Sequence, residues 1–150
     1  KSKKNEILKI GNAIQTLKVG NALPNVDLID QNDKLVLPES FPKQKSVVFL
    51  WTEHLSSHMS AVHKKIAALK AAHPDYQFIG ICLDKDHKRW KSLLEENKFN
   101  GTIELRAANF EDLKSKWAIM KVHRTIVLDQ NGKIKNAFTN LFDVNFEKEL

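Results

Sequence analysis

Apolar positions along the chain change rhythm several times, and each change marks an element. Ile7, Ile10, Ile14 and Leu17 recur at steps of three and four, which predicts a short amphipathic helix over 6–17. Gly20 and Pro24 punctuate the next stretch, and Val26 and Leu28 alternate as in an edge strand. Residues 31–45 are polar, carry Pro38 and Pro42, and read as a surface loop. The unbroken run Val47 to Trp51 predicts a strand buried on both faces. Met59, Val62, Ile66 and Leu69 then repeat at helical spacing, giving a helix from about Ser57 to Ala72 that Pro74 stops. Phe78 to Leu83 is a second buried strand, 86–97 a helix with Trp90, Leu93 and Leu94 inward, and 110–117 a short helix built on Phe110, Leu113 and Trp117. Thr125 to Leu128 and Lys133 to Phe138 flank Asn131-Gly132, a strong hairpin signal. Asn145 to Leu150 begins a last helix that the chain barely completes. Alternating strands and helices with a closing hairpin predict an α/β protein, a three-layer α/β/α sandwich around a mixed sheet.

Composition narrows this picture. At 150 residues, 42% hydrophobic and 28% charged, the chain is one domain long and able to bury a core. No run approaches the ~18 apolar residues of a membrane span, so no integral membrane segment is expected. The chain starts at Lys1 without a signal peptide, which reads as a mature or excised segment. The net charge of +6 is mostly lysine, with arginine only at Arg89, Arg106 and Arg124. Scattered lysines without clustered arginine and stacking aromatics predict a solvated surface and no nucleic-acid partner. Lys1, Lys3 and Lys4 form one small basic cluster, weakly attractive to an anionic membrane. Five glycines and no glycine-rich phosphate loop leave nucleotide binding without support.

Four segments carry a family resemblance. Lys18-Val19-Gly20-Asn21-Ala22-Leu23-Pro24-Asn25-Val26-Asp27-Leu28 is similar to the "VGxxxPxFxL" opening of the thioredoxin-like redoxins, closest to their TlpA-like and cytochrome c maturation branch. Val47-Val48-Phe49-Leu50-Trp51-Thr52 resembles that branch's "FWAtW" strand, and Ile79-Gly80-Ile81-Cys82-Leu83-Asp84 its second core strand. Val127-Leu128-Asp129-Gln130-Asn131-Gly132-Lys133-Ile134 resembles its "fLIDkdGkI" hairpin. The resemblance, which covers about 18–140, implies a thioredoxin-like sandwich over 18–150 and a periplasmic or extracytoplasmic location; the helix read from periodicity then makes 1–17 an N-terminal helical extension packed against it.

The same resemblance marks where the chemistry departs. The family's Cys-x-x-Cys falls on Leu55-Ser56-Ser57-His58, and its cis-proline on His123 within Lys121-Val122-His123-Arg124-Thr125. Neither Leu55 nor His58 attacks a disulfide. A non-proline cis peptide costs about 3–4 kcal/mol, so Val122–His123 is expected trans. The one cysteine, Cys82, sits inside an apolar strand, where a thiol packs as a small hydrophobe. Ser56 and Ser57 beside His58 do not give hydroxyl-to-base geometry, and Ser56 reads as the cap of the adjoining helix. Trp51, Trp90 and Trp117 read as core.

The candidate site is therefore the altered surface at His54, Leu55, Ser56, Ser57, His58, Val122, His123 and Arg124, with Arg124 placed to hold a carboxylate or a partner's backbone. His63 is expected to face solvent, apart from these. The expected function is a redox-inactive module that binds a protein or peptide partner in the cell envelope, with no catalytic residue and no cofactor. Two alternatives stay open. His54, His58 and His123 form a zinc or copper site if they converge. A thiol-disulfide oxidoreductase or antioxidant redoxin is what the family's usual activity implies.

Overall fold

The computed structural model of the protein describes residues 11–99 and 101–150. Residues 11–16 are helical (α1), and the chain continues through β1 (Leu28–Ile29), β2 (Leu35–Val36), β3 (Ser46–Trp51), α2 (Ser56–Ala72), β4 (Gln77–Cys82), α3 (His87–Asn97), β5 (Ile103–Ala107), α4 (Phe110–Lys116), β6 (Arg124–Leu128) and β7 (Ile134–Asn140). The sheet order is β2-β1-β5-β4-β3-β6-β7. Strands β5, β4 and β3 are parallel, and β6 reverses against β3. Ile7, Ile10 and the cluster Lys1, Lys3, Lys4 lie outside the described residues.

The apolar runs of β3 and β4 supply both faces of the sheet. Phe49 and Trp51 point to one side, where Met59, Val62, Ile66 and Leu69 of α2 and Trp90 and Leu93 of α3 cover them. Val48 and Leu50 point to the other, against Leu17, Leu113, Trp117 and Ile119. Burying a large side chain in this way contributes roughly 1.5–3 kcal/mol. The result is the expected three-layer sandwich. The closing hairpin also forms as expected: the Asp129 carboxylate accepts from the amides of Asn131 and Lys133, and Gly132 takes the left-handed φ of 77° that the turn needs.

Several expectations need correction. The chain between α3 and α4 holds a strand, β5, parallel to β4, that the apolar pattern did not reveal. Its run Ile103-Glu104-Leu105-Arg106-Ala107 alternates, but the charges at Glu104 and Arg106 hide the pattern of a strand interior. The loop 31–45 contains β2 and a 3₁₀ turn at Pro38–Ser40, and buries Phe41. Strand β1 pairs on both sides, with β2 and β5, so it is not an edge. The chain ends in a 3₁₀ turn, Phe146–Glu149, that seats Phe146 in the core. Other expectations hold: among the described residues every peptide bond is trans, Val122–His123 included. None of the described helices is long and apolar enough to cross a membrane.

Candidate functional site

Beyond Trp51 the chain does not enter α2 directly. Thr52 is extended, and its hydroxyl accepts from the His54 amide at 3.2 Å, capping a 3₁₀ turn at Glu53–Leu55 that leads into the helix. This corrects the expected cap. The N-cap of α2 is Leu55, with no side-chain cap bond, and Ser56 is the first helical residue. Leu55 stands half exposed at the helix tip, and His58 lies in the first turn.

Opposite this turn, β4 leads into Asp84, whose carboxylate is buried. It accepts from the Thr52 hydroxyl at 2.5 Å, the Glu53 amide at 2.9 Å and the Cys82 thiol at 3.4 Å. Asp84 thus fastens the β3 end to the β4 end. Just outside these parallel strand ends, where open α/β sheets leave a crevice, lies a cleft of about 620 Å³. Its floor is Leu83, Phe110, Ile119 and Val122, and His54 stands at its edge, with Nε2 3.7 Å from Asp84 Oδ1.

The three histidines are not brought together. His54 is exposed on the cleft side. His58 and His123 line a different spot, beside Leu141, Phe142 and Arg124, where the space is too small for a water molecule. Both ring nitrogens of His58 are shut away without a hydrogen-bond partner. Burial, then the neighbouring His123 and His63, hold its imidazole below the ordinary histidine range. Among the described residues no group of three His, Cys, Asp or Glu side chains is placed to hold a metal ion. Arg124 is also engaged internally. It donates to the carbonyls of Trp117 and of Ala118 (2.6 Å for the latter) and lies 4.5 Å over the Phe138 ring. Burial brings its pKa down to about 10. The side chain therefore clamps the chain between α4 and β6 instead of offering its fork to a ligand.

Cys82 is fully buried at the end of β4. Desolvation raises its pKa far above the ordinary thiol value, and the Asp84 carboxylate beside it adds to the cost of a thiolate.

One feature of the interior escaped sequence reasoning. His63 does not face solvent; its side chain is 8% exposed and sits under α2 against Glu104 of β5. Glu104 accepts from Trp51 Nε1 at 3.0 Å and from the Thr102 hydroxyl at 2.5 Å, and its Oε2 lies 3.2 Å from His63 Nε2. His63 Nδ1 meets the Met59 carbonyl at 2.9 Å, and a carbonyl only accepts, so Nδ1 carries a proton. The Nε2–carboxylate bond needs a second proton, held on the imidazole or on the acid. Phe99 stacks on the ring at 3.5 Å, and Gly80 makes the room: a Cβ there would lie 2.8 and 2.9 Å from the Glu104 oxygens. A signal existed in Gly80, which interrupts an apolar strand, but its partner could not be read without the pairing of β4 with β5.

A family model described as "Thioredoxin-like" matches residues 44–134. Among solved structures, the chain is similar to a candidate thiol-disulfide oxidoreductase from Bacteroides vulgatus, with a TM-score of 0.75 and 20% identity over 89% of this chain and 94% of that one. It is also similar to a thiol:disulfide interchange protein from a Bacteroides species (TM-score 0.65, 20% identity, 79% and 80% covered). A third is the exposed lipoprotein thioredoxin of Streptococcus pneumoniae (TM-score 0.63, 13% identity, 84% and 98% covered). No curated protein matches the chain.

Proposed function

Because this chain belongs to the thioredoxin-like family, we propose that it is a redox-inactive member, acting outside the cytoplasm, that captures a protein or peptide partner in the cleft between Thr52–His54, Leu83–Asp86 and Ile119–Val122. The observation that carries this reading is the state of sulfur in the chain. The positions resembling the family's cysteine pair are Leu55 and His58, and the one thiol, Cys82, is sealed in the sheet with no exposed surface. A thiolate is the attacking species in disulfide exchange, and both burial and Asp84 oppose forming one there. Meanwhile the cleft persists, its walls held by Asp84 on one side and Arg124 on the other. The likeness to an exposed lipoprotein thioredoxin supports an extracytoplasmic place. The binding side is proposed for His54, with Val122 beneath it. His58 and His123 serve as packing beside it, and Leu55, Ser56 and Ser57 lie on the exposed helix tip.

The test is insulin-disulfide reduction in dithiothreitol. The native protein is expected to add nothing to the rate of dithiothreitol alone, and Cys82→Ser to behave identically. Acceleration that Cys82→Ser abolishes would overturn the reading.

A further inference from the structure

We propose that the cleft takes an extended segment of a partner protein in which acidic side chains alternate with apolar ones. This deepens the binding reading above and rests on it.

The cleft is lined by three carboxylates and three lysines, and among the described residues only the carboxylates have hydrogen-bond partners inside the protein. Its three carboxylates are engaged within the protein: Asp84 by Thr52 and the Glu53 amide, Asp86 as the cap accepting from the Arg89 amide at 3.0 Å, and Glu53 by the Arg89 guanidinium at 2.9 Å. Three lysines line the same cleft, Lys85, Lys114 and Lys121, and all are exposed. Ion pairs among the described residues engage Lys45, Lys91 and Lys116, but none of these three. Each comes from a different wall: Lys85 lies just beyond β4, Lys114 is on α4, and Lys121 precedes β6. An incoming carboxylate therefore meets three ammonium groups with no internal partner to displace.

Between them the surface is apolar. Phe110, Ile119 and Val122 form the floor, and Met120, 74% exposed, offers an unbranched, adaptable side chain at the rim. An extended chain directs successive side chains to opposite faces. A segment alternating apolar and acidic residues sets the first kind on that floor and the second toward the lysines. A basic segment would face the same three charges unfavourably.

The probes are short fluorescein-labelled peptides that alternate valine with glutamate, glutamine or lysine, titrated by fluorescence anisotropy. The glutamate peptide is expected to bind about tenfold more tightly than the glutamine one at about 0.01 M salt, an advantage that shrinks toward 0.15 M as screening sets in. The lysine peptide should bind most weakly. In Lys85→Glu/Lys114→Glu/Lys121→Glu the order should invert; Lys114→Glu alone, with thermal midpoints compared, serves if the triple variant does not fold. Equal affinity for the three peptides, or an order that the lysine variants leave unchanged, would overturn the inference and leave the binding reading standing. Failure of all three peptides to bind would overturn both.

Discussion

Glu104→Ala is expected to lower the unfolding free energy by about 3–5 kcal/mol, the range for breaking a buried pair by removing one partner. The substitution strands two buried groups and takes a partner from a third. Trp51 Nε1–H loses its acceptor and His63 is left with Nε2 facing nothing, while the part-buried Thr102 hydroxyl keeps the Phe99 carbonyl. Each unsatisfied buried polar group costs about 1–3 kcal/mol, and the space beneath Gly80 becomes a cavity. Glu104→Gln should be milder, since one amide oxygen can still accept from Trp51 while its N–H donates to a neutral His63. Replacing both partners, as His63→Phe with Glu104→Leu, should recover the part of the loss due to His63 and the cavity but not the part due to Trp51, whose Nε1–H still lacks an acceptor. Urea unfolding of the native protein and these three variants checks this. A loss under about 1 kcal/mol for Glu104→Ala would mean that the network is not holding β5 to α2 as described.

Restoring the cysteine pair should have the largest effect on activity. In Leu55→Cys/His58→Cys the first thiol stands half exposed at the tip of α2, where the helix end favours an anion. If its pKa falls from about 8.5 to about 7, the thiolate fraction at pH 7 rises from about 3% to about half. The second thiol, one helical turn on, resolves the mixed disulfide intramolecularly. Insulin reduction is expected to rise about tenfold above the dithiothreitol background, with Leu55→Cys alone giving little, and the oxidised double variant should lose both free thiols at those positions. No gain would place the lost chemistry in the trans Val122–His123 segment as well, which His123→Pro added to the double variant would expose.

Whether an element was legible in the sequence depended on the neighbours its residues meet. Strands β3 and β4 and helix α2 could be read because most of their buried neighbours are apolar, so the pattern is local. Strand β5 could not, since Glu104 and Arg106 look like surface residues until His63, Trp51 and His87 are placed beside them. His63 lies four residues after Met59 and three before Ile66, the margin of the α2 apolar face, but its partner is 41 residues away. At the candidate site, motif spacing placed Leu55, His58 and His123 where chemistry had been lost. It did not reveal that His54 and His58 face different spaces, nor that Arg124 is consumed by the carbonyls of Trp117 and Ala118. The cleft itself is assembled from three separate loops, and Asp84, which ties two of them, carries no motif.

The central claim is that this scaffold works without thiol chemistry, and Cys82 tests it most directly. The native protein, mixed with dithiobis(nitrobenzoate) at pH 8, is expected to release no thionitrobenzoate over minutes, and one equivalent per chain only after guanidinium is added. Prompt release of one equivalent from the native protein would mean an accessible, ionised thiol, and would contradict the account.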